Sequence, residues 1–366
     1  MKTNIDNQQE RIRIKDIARL AGVSVGTVDR VLHSRSGVSA ASRAKVEEIL
    51  QQLNYQPNMY ASALASNKKY RFACLFPAHA EEDYWVDVEN GMGQAITAFS
   101  DFHVSLQSFC YDQYESGSFT EEGEKVLNAR PDGVVLSPAS EEETKELAHK
   151  LREANIPYIF IDSNIPNLSP LAFFGQHAQK SGYFAARILH LLAMRANEIV
   201  VFRLIYEGRL GSNQQLHRER GFYEYMKTCC PEMKIRELNL YAKQPEQNEK
   251  LMNEFFSAHP DIKCGITFNS KAYIIGEYMQ AYGKKDFHLM GYDLLRRNVA
   301  CLQNGYIDFI IAQQPTVQGY DSIECLCNHL ILKKRVKSCN YMPIHLISVD
   351  NIDFYFDTHV YDSAND

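Results

Sequence analysis

Residues 14–33 read IKDIARLAGVSVGTVDRVLH, and their spacing decides the first part of the fold. Ile14, Ile17, Ala18 and Ala21 fall on one face of a short helix. Gly22 follows, a residue free to take the left-handed conformation that ends a helix. Ser24 is then an N-cap for a second helix, whose inner face is Thr27, Val28, Val31 and Leu32. Two helices joined by a short turn containing glycine make a helix-turn-helix, the unit that lays its second helix in a DNA major groove. An αα-hairpin of any helical domain has the same outline, so the surroundings have to choose between the two.

They favour DNA. A third amphipathic helix follows over 39–53, with Ser39 as cap and Val46, Ile49, Leu50 and Leu53 as its stripe. One more short helix is predicted over 58–65. Residues 1–70 carry eleven Lys/Arg against six Asp/Glu, a net charge of +5, whereas the whole chain is at −6 and the remainder therefore at −11. A basic head on an acidic body suits a polyanionic partner.

Beyond Arg71 the rhythm changes to short apolar runs alternating with helical stretches. RFACLF (71–76), HVSLQSFCY (103–111), DGVVLSP (132–138) and PYIFIDS (157–163) read as strands, with helices over 84–99, 119–129 and 141–154 between them. The pattern restarts at AFFG (172–175) and runs through strands 198–204, 234–240, 264–269, 288–293 and 309–315. Strand–helix alternation of this kind predicts parallel sheets. Two successive α/β halves predict two lobes facing across a cleft, where ligands bind beyond the carboxyl ends of the strands.

Composition excludes several classes. Nothing in the sequence approaches the twenty apolar residues of a membrane span. The polar start MKTNIDNQQERIR lacks the apolar core of a secretion signal, so a cytoplasmic location is expected. Nine cysteines are scattered without a CxxC pair or a Cys/His spacing suited to zinc, which points to reduced thiols and no metal or other cofactor. There is no nucleophile elbow and no phosphate-binding loop, so the reading is not that of an enzyme.

Residues 14–65 resemble the headpiece of the LacI family of bacterial regulators, through IKDIARLAGVSVGTVDRVLH, VSAASRAKVEEILQQLNYQPN and the hinge word ASALAS. The resemblance implies that Val25, Gly26 and Arg30 face base edges. It implies that Ser24, Thr27, Ser39, Ser42 and Asn58 hold phosphates, and that Ala61 and Leu64 belong to a hinge helix whose leucine wedges into the minor groove. Asp29 stands where the family has a neutral residue. It needs a cationic partner, Arg30 or a nearby lysine, or a cytosine amino group.

The rest resembles the type I periplasmic sugar-binding fold through EDYWVDVENGM, ANIPYIFIDS, HRERGF, GYDLLRRNVACLQNGYIDFIIAQQPTVQGY and IHLISVDN. Carried over, the effector pocket comprises Tyr84, Trp85, Asp162, Arg218, Asn269, Asp293 and Gln313, an aromatic plate with acids, amides and one guanidinium. Arg220 is the rival to Arg218. Gln176–His177 stands where the family often has an aspartate opening the second lobe, and His177 is read as a satisfied polar residue.

The expected organisation is a disordered 1–10, a headpiece at 11–57, a hinge and linker at 58–70, and an effector domain at 71–366. Lobe 1 is expected over about 71–171 and 315–340, and lobe 2 over about 172–314 and 341–366. The expected fold class is an all-α headpiece plus an α/β two-lobed domain with parallel sheets. The expected function is a homodimeric regulator, a repressor of carbohydrate-utilisation genes, that binds double-stranded operator DNA under the control of a sugar-like effector. A purine-type co-repressor system and a solute-binding protein are the alternatives.

Overall fold

The computed structural model describes residues 13–32, 35–53, 55, 59–64, 68–193, 196–206, 208–210, 212–242 and 244–355. The chain divides into two compact units, Met1–Ala65 and Ser66–Asp366.

The first unit is helical: α1 (Ile14–Ala21), α2 (Val25–Leu32), α3 (Ala40–Gln52) and α4 (Met59–Leu64). Ile17, Ala18, Ala21, Val28, Val31 and Val46 close a small core among α1, α2 and α3. Gly22 has φ +64° and its amide donates to the carbonyls of Ala18 and Arg19, the left-handed stop expected of it. The expected strip 1–10 and Asn58 lie outside the described residues.

The second unit opens with β1 (Tyr70–Pro77), α5 (Tyr84–Ala98), β2 (Val104–Tyr111), α6 (Ser118–Ala129), β3 (Gly133–Leu136), α7 (Glu141–Glu153), β4 (Tyr158–Ile161) and β5 (Ala172–Gly175). It continues with α8 (Ala178–Leu192), β6 (Glu198–Tyr206), β7 (Arg209–Leu210), α9 (Asn213–Cys229), β8 (Lys234–Tyr241), α10 (Pro245–Ala258), β9 (Cys264–Thr267), α11 (Tyr273–Ala281) and β10 (His288–Tyr292). It ends with α12 (Arg296–Gln303), β11 (Phe309–Ala312), α13 (Pro315–Leu330), β12 (Cys339–Tyr341) and β13 (His345–Ile347).

These form two sheets. The first runs β12-β5-β4-β3-β1-β2 and is parallel throughout. The second runs β13-β11-β10-β9-β6, with β8 parallel and the short β7 antiparallel on β6, and β13 antiparallel on β11. Strands β3, β4, β5 and β9 are buried along their whole length, as parallel strands covered by helices on both faces must be.

The boundary between the sheets differs from the expectation. Strand Ala172–Gly175, expected to open the second lobe, pairs with β4 and β12 inside the first sheet. Tyr341 likewise pairs with Gly175 in that sheet. The chain therefore crosses between lobes three times, at 176–177, 313–314 and 342–344. The apolar word AFFG looks the same whichever sheet it joins; only pairing decides. Helices α12 and α13 were not legible either. The strand word FIIAQQP stops at Ala312, because Pro315 occupies the first turn of α13, where its missing N–H costs nothing.

Glycine sets how closely two helix pairs approach. A Cβ on Gly182 of α8 would lie 1.8 Å from the Arg218 carbonyl oxygen of α9, and one on Gly91 of α5 would lie 1.9 Å from the Thr316 carbonyl oxygen of α13. Each lobe thus holds a pocket-bearing helix against its neighbour at a distance no other residue permits. No helix among the described residues is long and apolar enough to cross a membrane.

Candidate functional site

Tyr84, Trp85, Asp162, Arg218, Asn269, Asp293 and Gln313 all line one cavity of about 330 Å³ between the two sheets. They come from six separate places: the start of α5, the ends of β4, β9, β10 and β11, and the second turn of α9.

The two acids are mounted alike. Asp162 and Asp293 each follow a strand by one residue, at φ +65° and +69°. Each backbone amide still donates into the next strand, to Phe174 and Ile311 respectively. The left-handed step then ends the strand, a strained conformation that a functional site can hold in place. Both side chains are buried. Burial pushes Asp162 up to about 7, with Asp293 adding to the rise and Arg218 opposing it. Burial raises Asp293 as well, against the pull of Arg218 and the hydrogen bond from Gln313.

Arg218 is 3 % exposed and has no ion pair within contact distance among the described residues. Its Nη1 donates to the Phe268 carbonyl at 2.9 Å, and its guanidinium lies 3.9 Å from the centre of the Tyr292 ring. Nε and Nη2 are buried without a hydrogen-bond partner. Those two N–H groups form the side-on fork of a guanidinium, ready for a pair of ligand oxygens. Arg220 is exposed on the other side of α9, so the rivalry resolves in favour of Arg218 as the cavity residue.

Trp85 stacks on Phe76 at 5.4 Å and meets Tyr84 edge-on at 5.2 Å. The Tyr84 hydroxyl, with Gln318 beside it, has no well-formed hydrogen bond, and its burial raises its pKa. Asn269 is partly committed: it donates to Thr267 Oγ1 at 2.7 Å and accepts from the Lys271 amide at 2.8 Å. Gln313 donates to Asp293 at 2.6 Å.

Gln214 was not foreseen. Its amide donates to Gln313 at 3.3 Å and reaches Asp162 across the cleft at 3.5 Å. The available signal was its place four residues before Arg218, on the same face of α9. Lys271 and Asp83 add a salt bridge of 3.2 Å from one lobe to the other at the cavity wall. His177 caps α8 by accepting from the Lys180 amide and stacks on Tyr341, the satisfied role expected of it.

In the helical unit Ser24 caps α2 and Ser39 caps α3, accepting from the amides of Thr27 and Ser42 at 3.1 Å. Val25 is 51 % exposed, and Gly26 and Arg30 are exposed with it on the same helix. Asp29 finds a partner other than those expected: Arg35, at 3.2 Å. Leu64 is half-exposed at the end of α4. Ala61 lies in α4, but its side chain is outside the described residues, as is Asn58 altogether.

Residues 13–58 match the model of bacterial regulatory proteins of the lacI family, and residues 72–334 match a periplasmic binding protein domain. A crystal structure described as a proposed LacI transcriptional regulator from Bacteroides fragilis is 52 % identical, with a TM-score of 0.77, over 79 % of this chain and all of that one. The chain belongs to the LacI family.

Among curated LacI-family relatives, the Probable HTH-type transcriptional repressor ExuR of Bacillus subtilis is 30 % identical over 158 residues, 42 % of this chain and 44 % of that protein. Such matches span less than half the length of those relatives. The fold of the LacI effector domain is shared more widely: GanP, a glucose-galactose binding protein from Geobacillus stearothermophilus, superposes with a TM-score of 0.66 at 21 % identity, over 78 % of this chain and 99 % of that one.

Proposed function

We propose that this LacI-family protein is a sequence-specific DNA-binding regulator, a repressor of carbohydrate-utilisation genes. It works as a cytoplasmic homodimer without catalytic activity, and its operator affinity is set by a small sugar held between the lobes. One observation carries the reading: a single chain joins a lacI-type headpiece to a cavity walled by an aromatic plate, two acids, an arginine fork and amides. Sugar C–H faces stack on aromatic rings, while hydroxyls donate to carboxylates and accept from guanidinium and amide groups. Charge argues for a neutral sugar. The charge of Arg218 already acts on two buried acids, Asp162 and Asp293, and a ligand carboxylate would bring a third acid to the same guanidinium.

In the headpiece, Arg30 is the side chain suited to a bidentate guanine contact, with Val25 and Gly26 against base edges and the capping serines at phosphates. Leu64 is the minor-groove wedge. Effector and operator then alter each other's affinity by the same factor.

The test is a selection of operator sequences from a random duplex library by the full chain, followed by anisotropy titrations with and without D-glucose, D-galactose, D-arabinose and D-ribose. Trp85, the single tryptophan, lies on the cavity wall and reports binding by fluorescence. The expected result is that a sugar which shifts the fluorescence weakens operator binding by about fivefold or more. Tightening by the sugar would make it a co-repressor. Failure to select any sequence, or operator affinity indifferent to every sugar that binds, overturns the reading. Arg30→Ala is expected to lose about 1–3 kcal/mol at one base pair of each half-site, rather than uniformly.

A further inference from the structure

The three segments that cross between the lobes meet at one side chain. Gln176 is 2 % exposed and stands in the first crossing. Its Nε2 donates to the Ala312 carbonyl at 2.8 Å, where β11 runs into the second crossing, and to the Pro343 carbonyl at 2.7 Å, in the third. Both amide hydrogens are therefore used. The assignment of nitrogen and oxygen is settled by the neighbours, since a flipped amide would press its oxygen on two carbonyl oxygens. The Gln176 oxygen in turn accepts from Ser181 at 3.2 Å, and Ser181 lies 3.2 Å from the Tyr292 hydroxyl. The Tyr292 ring carries the Arg218 guanidinium on its face.

We infer that Gln176 is a hinge clasp, a positioning residue that ties the three crossings together and links them through Ser181 and Tyr292 to the arginine in the pocket. Lobe opening moves the three crossings against one another, and a single donor bound to two of them from the third resists that motion. A ligand that pulls on Arg218 shifts the ring beneath it, and with it the hydroxyl that Ser181 shares with the clasp. The clasp stands on geometry alone; its part in the effector response rests on the function proposed above.

The test needs no sugar, so its failure is separate from failure of that function. Hydrogen exchange is measured by mass spectrometry on the full chain. Gln176→Met removes the two donated bonds at similar volume, and Gln176→Glu sets a carboxylate against both carbonyls. The expected result is that Gln176→Met speeds exchange about tenfold or more in peptides covering 175–178, 312–315 and 342–345 together, Gln176→Glu speeds it further, and β1 and β6 exchange as in the parent. A change confined to the peptide holding residue 176, or one spread equally over the whole chain, overturns the clasp. Tyr292→Phe keeps the ring under Arg218 but removes the hydroxyl. It is expected to speed exchange at the same three crossings by a smaller factor, and the double variant Gln176→Met/Tyr292→Phe is expected to be no faster than Gln176→Met alone. Exchange unaltered by Tyr292→Phe, or two effects that simply multiply, overturns the link to the pocket. Should the Gln176 variants fail to fold, Ser181→Ala cuts the same link one bond away and is read by the same three peptides.

Discussion

The two lobes present one aspartate each to the cleft from equivalent places, yet hold them differently. Asp293 is fixed by a 2.6 Å hydrogen bond from Gln313. Among the described residues the Asp162 side chain has only long contacts, 3.4 Å from Ser163 and 3.5 Å from Gln214 of the opposite lobe. Lobe 1 thus supplies a stacking wall, Tyr84 and Trp85, and a loosely held acid, whereas α9 and the strand ends of lobe 2 supply most of the polar partners. The difference teaches which acid the sugar proposed above would have to satisfy. The acid that lacks firm partners within its own lobe is the one free to be satisfied by a ligand and by the other lobe.

The comparison can be broken most severely at Arg218, which serves both acids. Arg218→Met removes the fork and leaves two buried carboxyls without a cation. It is expected to weaken any sugar that shifts Trp85 fluorescence by at least about 100-fold, near 3 kcal/mol. A loss below tenfold would show that the lobes bind without it. The glycine contacts come next. Gly182→Ala forces α9 off α8 and Gly91→Ala forces α5 off α13, against rigid backbone at 1.8 and 1.9 Å. Each is expected to lower stability by about 2–3 kcal/mol in thermal unfolding. In addition, Gly182→Ala should disturb the arginine side of the pocket and Gly91→Ala the aromatic side.

The acids themselves sharpen the contrast through pH. Asp162 has a folded pKa raised to about 7 from an ordinary value of 3.8, so the folded state holds a proton that the unfolded state has released. Stability is therefore expected to fall as pH rises through that window, and to level off above it. Asp162→Asn cannot ionise. Its advantage over the parent should be least toward pH 4 and should grow by about 1–2 kcal/mol between pH 5 and pH 8, read as the melting temperature across pH. Asp293→Asn should gain less, since Gln313 steadies the ionised form; an equal gain would erase the distinction between lobes. The smallest effect is expected at Tyr84→Phe. It deletes a hydroxyl without a well-formed partner and should change ligand-free stability by under about 1 kcal/mol while still weakening the sugar.

The pocket was legible in part, and for identifiable reasons. Asp162, Asp293 and Gln313 stand at the ends of apolar strand words, where α/β sheets place ligand groups, and Arg218 sits in a helix word. Gln214 escaped because a glutamine at a helix start looks solvated until a second lobe covers it. The partner of Asp29 escaped for a related reason. Arg35 lies six residues on, beyond the end of α2, and no helical spacing links the two.

What the sequence determined by itself was local. The 3.6-residue apolar spacing, Gly22 and the serine caps specify the headpiece helices within a residue or so, and the strand–helix alternation specifies α/β lobes with parallel sheets. What only the tertiary structure decided was non-local. It placed Ala172–Gly175 in the first sheet, routed the chain three times between lobes, and brought Gln176 to carbonyls 136 and 167 residues away. The physical reason is that burial pattern depends on near neighbours along the chain, whereas strand partners and buried amides are chosen by whichever distant backbone groups would otherwise lose their hydrogen bonds.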